Sequence, residues 1–143
     1  MTTIERVIVV DRPVQAVFAY LSDFENTNEW DPGTVKTTKI DGNGGVGTRY
    51  HNTSSFAGRE SDLEYTVEAF EPGRLFQLRG ENKSLVSHDI MRFRDTGGGT
   101  EVTYRAIFHF RGLARLAVPL LKGQFKKLGD NAEQGMRKAL FKL

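Results

Sequence analysis

The chain has 143 residues, of which 38% are apolar and 27% charged, with a net charge of +2 at neutral pH. These proportions suit one globular unit with a sizeable core, and they exclude a collagen-like, low-complexity or disordered chain. No cysteine is present, which removes disulfides, thiolate metal sites and cysteine nucleophiles together.

The charge is unevenly placed. Residues 111–143 hold eight Lys or Arg against two Asp or Glu, while the remainder is mildly acidic. The opening run MTTIERVIVV contains Glu5 and Arg6, so it does not read as a signal peptide. No apolar stretch approaches the ~20 residues that a membrane span requires. A cytoplasmic, single-domain protein spanning 1–143 is the expectation.

Thr3 to Val10 reads as a strand rich in Ile and Val. Asp11-Arg12 turns the chain into Pro13, favoured at a helix start because its missing N–H has no partner there in any case. Val14, Val17, Phe18 and Leu21 follow at helical spacing. Asp23 is suited to cap a second short helix that ends at Asp31-Pro32-Gly33.

From Thr34, strand and turn signals alternate. Thr34 to Asp41 leads to the Gly42-Asn43-Gly44-Gly45 loop, and Thr48 to Ser55 to a turn at Ala57-Gly58. In Asp62 to Glu71, Leu63, Tyr65, Val67 and Ala69 share one face. Pro72-Gly73 precedes Arg74–Arg79, and Gly97-Gly98-Gly99 separates Lys83–Arg94 from the last strand. There Val102, Tyr104, Ala106, Phe108 and Phe110 point one way, with Glu101, Thr103, Arg105 and His109 opposite. Gly112 to Leu143 reads as a long basic helix whose inward stripe includes Ala117, Leu121, Phe125, Leu128, Ala132, Met136 and Ala139. Pro119 is expected to kink it or to mark its true start.

The order predicts an α+β helix-grip fold: a curved antiparallel sheet wrapped around the C-terminal helix, with two short helices after the first strand. Arg12-Pro13-Val14-Gln15-Ala16-Val17-Phe18 and Asn28-Glu29-Trp30-Asp31-Pro32-Gly33 carry a wider likeness. So do Gly45-Val46-Gly47-Thr48-Arg49-Tyr50, Phe70-Glu71-Pro72-Gly73-Arg74 and Gly97-Gly98-Gly99-Thr100-Glu101-Val102-Thr103-Tyr104. With them the chain resembles the START/Bet v 1-like (SRPBCC) superfamily, in particular its polyketide cyclase/dehydrase-like branch. The resemblance implies a deep, largely apolar cavity and ligands such as lipids, polyketides or other hydrophobic molecules. That superfamily includes binders, transporters and enzymes, so the fold alone does not decide the function.

Several patterns point away from other chemistries. Gly42, Gly44 and Gly47 satisfy G-x-G-x-x-G, but Thr48-Arg49-Tyr50-His51 continues as a strand and not as the helix a dinucleotide site needs. His51, His88 and His109 share strand faces with polar neighbours and show no metal-ligand spacing. No G-x-S-x-G elbow is present. Neither a metal nor a cofactor is expected, and no basic stripe interleaves with aromatics as nucleic-acid binding would require.

Asp89 lies on the apolar parity of its strand, where burial would place its pKa in the range of acid/base work. A structural carboxylate paired with a backbone donor or an Arg at the strand end is the favoured expectation of the two. Tyr50, Asn52, Tyr65 and Tyr104 share inward parity, and Gln124 and Asn131 lie near the inward face of the last helix. Gly123, Gly129 and Gly135 weaken that helix, which suits a mobile element. The expected ligand-binding set is Trp30, Tyr50, Asn52, Tyr65, Val67, Asp89, Met91, Tyr104, Phe108, Leu121, Gln124 and Leu128.

Two functions stay open. One is binding or carriage of a small hydrophobic ligand. The other is a cyclase or dehydratase with Asp89 as general acid/base and Tyr65 or Tyr104 orienting a carbonyl. A weak membrane contact through Lys122, Lys126, Lys127, Arg137 and Lys138 is a third expectation. The protein is expected to be a monomer or a homodimer.

Overall fold

Seven strands form one antiparallel sheet in the computed structural model, which describes residues 1–143. β1 (Thr2–Val10) is followed by helix α1 (Val14–Leu21), a 3-10 turn at Phe24–Asn26 and the one-turn helix α2 (Thr27–Trp30). β2 (Thr34–Asp41), β3 (Arg49–Phe56), β4 (Arg59–Glu71), β5 (Leu75–Glu81), β6 (Leu85–Asp95) and β7 (Thr100–Phe110) then succeed one another. Helix α3 (Lys122–Phe141) closes the chain. The spatial order is β1-β7-β6-β5-β4-β3-β2. All pairings from β2 to β7 join sequence neighbours. Only β1 pairs at long range, with Thr2 opposite Phe108 and Val10 opposite Thr100. This is the expected α+β helix grip.

The side-chain alternation follows the pleat. In β6, Ser87, Asp89, Met91 and Phe93 are buried while Arg92 and Arg94 are exposed. β4 departs from strict alternation. A bulge between Val67 and Ala69 places Ala69 opposite Gln77 and Phe70 opposite Phe76. The extra residue exchanges the two faces, so Phe70 packs inward in place of the expected Ala69. Its ring meets Phe18 at 5.2 Å and Phe76 at 6.2 Å. Asp23 caps as expected, accepting from the Glu25 amide at 3.2 Å.

The C-terminal region differs most from the sequence expectation. Gly112–Leu121 is a 3-10 segment, and the α-helix begins only at Lys122. Pro119 supplies the reason: it lacks an amide donor and its ring clashes with the preceding turn. None of the ten segment residues is buried, and Leu113, Leu116 and Leu120 are 84%, 74% and 84% exposed. Leu121 is therefore a half-exposed cap residue and not an inward one. Gln124 and Asn131 are exposed as well. The buried stripe of α3 is Phe125, Gly129, Ala132, Met136 and Leu140, a narrower face than the expected one.

Two glycines of α3 serve contact and not mobility. A β-carbon at Gly135 would collide with the Trp30 carbonyl, and one at Gly129 would lie 2.6 Å from Ile4 and 2.7 Å from the Arg6 guanidinium. Their absence of side chain lets α3 press against α2 and β1. Arg6 then crosses the helix to Asp130 at 3.0 Å and Glu133 at 3.5 Å. The grip is pinned.

Candidate functional site

A cavity of about 140 Å³ lies between the inner face of the sheet, α2 and α3. Its inner end is built by Trp30, Asp31, Tyr65, Asp89 and Tyr104. Asp89 sits opposite Leu78 on one side and Ala106 on the other, and Tyr104 lies opposite Met91. Asp89 and Tyr104 are thus diagonal neighbours, within reach of a long side chain. The Tyr104 hydroxyl donates to Asp89 Oδ2 at 3.0 Å, and the Ser87 hydroxyl donates to Oδ1 at 3.1 Å.

Gly80 explains the position of Tyr65. It pairs with both Tyr65 and Ser87, and a β-carbon there would lie 2.6 Å from the Tyr65 ring. The bare backbone of Gly80 lets that ring lie flat across β5.

The electrostatics of the inner end follow from burial. Exclusion of water raises the Asp89 pKa to about 6, the hydrogen bonds from Tyr104 and Ser87 oppose the rise, and the nearby Asp31 charge adds to it. Burial first, then the Asp89 charge, pushes the Tyr65 and Tyr104 hydroxyls far above their ordinary range, so both remain neutral donors. Asp31 is raised by burial too, although the Gly33 amide and the Thr34 hydroxyl each donate to it at 3.0 Å. Its solvent exposure is intermediate, yet the surrounding chain leaves its carboxyl poorly hydrated. Trp30 is 2% exposed and stands edge-on to Tyr104 at 5.9 Å, and its indole Nε1 has no hydrogen-bond partner.

The outer end is aromatic. Phe125 of α3 gathers Phe56, Phe108 and Phe110, with ring centroids at 4.8, 5.4 and 5.9 Å. Between the ends the buried Ala106 and Ala132 leave space, while Ser54, Ser55 and Ser61 line the rim beside Phe56 on the β3–β4 hairpin.

Of the residues expected at the site, Trp30, Asn52, Tyr65, Asp89, Tyr104, Phe108 and Leu128 line the cavity. Asn52 is already engaged there: it donates to Thr37 at 2.8 Å and accepts from Ser54 at 2.7 Å, in a chain that tethers α2 to the sheet. Tyr50, Val67 and Met91 are buried in the packed core away from the cavity. Strand parity fixes the face of a residue but not how far along the groove it falls. Leu121 and Gln124 are outside it, displaced by the late start of α3. Asp31, Gly80 and Phe56 are not among the residues expected from sequence. A carboxylate beside Trp30 and a glycine inside an otherwise regular strand are the signals that could have found the first two.

A second depression of about 940 Å³ lies between α2 and α3 and is lined mainly by polar residues, including Asn28, Glu29, Asn131 and Lys138. It is a wide surface cleft, so its larger volume does not make it the better ligand site. His51 and His109 are exposed on the outer side of the sheet, and His88 partly so. No helix is long and apolar enough to cross a membrane.

With this geometry in place, the relationships are informative. The family model described as polyketide cyclase / dehydrase and lipid transport matches residues 1–140, and the chain belongs to that family. The aromatase/cyclase Zhui from Streptomyces sp. R1128 superposes with a TM-score of 0.82 at 14% identity, over 96% of this chain and 92% of that one. TTHA0849 from Thermus thermophilus gives 0.79 at 15% identity, over 96% and 95%. The di-domain aromatase/cyclase StfQ of the steffimycin biosynthetic pathway gives 0.72 at 12% identity, over 95% of this chain and 50% of its own. At these identities the likeness is one of fold. Among curated proteins no sequence match is found.

Proposed function

We propose that this protein binds and carries a small, largely apolar ligand of about one aromatic ring. The observation behind this reading is the hollow of about 140 Å³, apolar at one end and hydroxyl- and carboxyl-bearing at the other. An apolar cavity of about 150 Å³ accepts benzene, whereas drug-sized ligands occupy roughly 300–1,000 Å³. A single ring fits the cavity as built. A lipid or an extended polyketide requires Phe125 and its neighbours to move. Family membership supports an apolar guest in general terms.

Calorimetry and thermal unfolding with toluene, p-cresol and benzyl alcohol test the proposal. A ligand at a hundred times its dissociation constant should stabilise the protein by about 2.7 kcal/mol. Ala106→Leu, which fills the cavity from β7, should abolish that gain while the fold persists. No stabilisation by any of the three compounds would count against the proposal.

A second reading has one observation in its favour. Asp89, with its pKa raised to about 6 and Tyr104 bonded to it, is poised to exchange a proton near neutral pH. On this reading Asp89 takes a proton α to a ligand carbonyl, or protonates a leaving hydroxyl, while Tyr65 orients the carbonyl. Asp89→Asn should then abolish turnover and leave binding intact; full activity in that variant would contradict it.

A further inference from the structure

We infer that the cavity selects by charge: it accepts a neutral ring compound bearing a hydroxyl and refuses one bearing a carboxylate. This rests on the ligand-binding reading above and makes it specific. The cavity wall contains Asp31 and Asp89 but no Lys, Arg or His. An anionic guest would enter a poorly hydrated space already holding two acids, with no cation to compensate it. A neutral hydroxyl meets the opposite situation. The Trp30 Nε1–H is buried without a partner and seeks an acceptor. Asp89 accepts only the Tyr104 and Ser87 hydroxyls, which leaves carboxylate lone pairs free for a further donor. A phenol or benzylic alcohol suits both: its hydrogen goes to Asp89, and a small shift of the Trp30 ring, whose Nε1 is sealed from the cavity as it stands, lets the guest oxygen accept from the indole. The ring then extends toward Phe108 and Phe125.

The test compares p-cresol, toluene and p-toluate by calorimetry at about pH 8, above the Asp89 pKa. Chemical shifts of the Trp30 indole N–H are followed in parallel. We expect p-cresol to bind at least about tenfold more tightly than p-toluate and to move the indole resonance. Asp89→Asn, or Asp31→Asn if the first variant folds poorly, should narrow the ratio. Equal binding of p-toluate and p-cresol, with toluene also bound, overturns charge selection and leaves the ligand-binding reading standing. Binding of none of the three overturns both.

A different observation independently supports an interaction surface. We propose that the Gly112–Leu121 segment rests on an anionic membrane surface. Seven of its ten residues are apolar and none is buried. Residues 102–129 contain no Asp or Glu, and Arg115, Lys122 and Lys127 form no ion pair. By contrast, the basic face of α3 is partly neutralised, Lys126 by Asp130 at 2.8 Å and Arg137 by Glu133 at 3.2 Å. A run of exposed leucines flanked by free cations suits a bilayer, which needs no shape-matched groove, better than an acidic protein. Phe110 and Phe125, on either side of the segment, both line the cavity, so docking would bring its aromatic end to the lipid.

Sedimentation with phosphatidylcholine vesicles, with and without phosphatidylserine, tests this. Binding should require phosphatidylserine, weaken with salt and fall at least about tenfold in a Leu113→Ser, Leu116→Ser, Leu120→Ser variant that stays folded, its melting temperature lowered by a few degrees at most. Undiminished binding by that variant, or no binding to either vesicle, overturns the proposal.

Discussion

The two ends of the interior are made by the same strands and the same helix, yet one is solid and the other hollow. At the closed end α3 contributes Met136 and Leu140, and at the hollow end Gly129 and Ala132. β7 contributes Val102 to the first and Ala106 to the second, and β6 contributes Met91 and Phe93 against Asp89. At the closed end α1 also inserts Phe18, whose ring lies 5.2 Å from Phe70 and 5.0 Å from Phe93. At the hollow end Trp30 of α2 reaches Tyr104 at 5.9 Å, but the ring contacts stop there and do not continue to Phe125, whose partners are Phe56, Phe108 and Phe110. The cavity is thus a consequence of side-chain size along shared faces, under a helix held close by its glycines.

The contrast sets the size of expected effects. Met136→Ala, at the closed end, should cost roughly 2–5 kcal/mol by denaturant unfolding, because it opens a void among fully buried neighbours. Leu128→Ala, beside the existing hollow, should cost clearly less. A similar cost for the two would mean that the hollow end is packed as tightly as the other.

Gly80→Ala should come next, at roughly 1–3 kcal/mol, since the new methyl must displace the Tyr65 ring. Loss of ring-ligand affinity should accompany it, measured by calorimetry. Unchanged stability and affinity would show that Tyr65 is not held by β5.

Asp89→Asn should act in the opposite direction. The Asp89 pKa rises from 3.8 to about 6 on folding, so the native state holds this proton more tightly than the unfolded chain. Wild-type stability therefore falls as pH rises from about 4 to about 6, then levels off. The variant removes that loss. It should be more stable by roughly 1–3 kcal/mol above about pH 7, with the gain fading below about pH 4. Retained hydrogen bonding to Asn sets where in that range it falls. A variant less stable at neutral pH would show that the ionised carboxylate is well compensated.

The smallest effect belongs to the exposed segment. Replacing Leu113, Leu116 and Leu120 with Ser should change stability by about 0.5 kcal/mol or less for each, because nothing packs on them. A large cost would place these leucines inside the folded core.

Much of this was legible from residue order. Alternation in Thr100–Phe110 and around Asp89 put the right side chains on the inner face, and Pro13 and Asp23 marked the helices after β1. Pro119 did announce the late start of α3, one of the two outcomes expected of it, yet the inward stripe drawn through it still placed Leu121 and Gln124 on the wrong face. What escaped altogether depended on displacements that no local pattern announces, as where the β4 bulge swapped Ala69 for Phe70. Gly129 and Gly135 read as weak helix positions until their contacts with β1 and α2 appeared. Tyr50, Val67 and Met91 had the correct parity but fell at the packed end of the groove. Periodicity reports direction; depth is set by pairing register and by which residues are small.

Whether the hollow receives a ring can be seen by soaking crystals with p-iodophenol and measuring anomalous scattering. An iodine peak is expected inside the cavity, with the phenol oxygen toward Trp30 and Asp89. An empty cavity at saturating compound, with the melting temperature unchanged in solution, would contradict it.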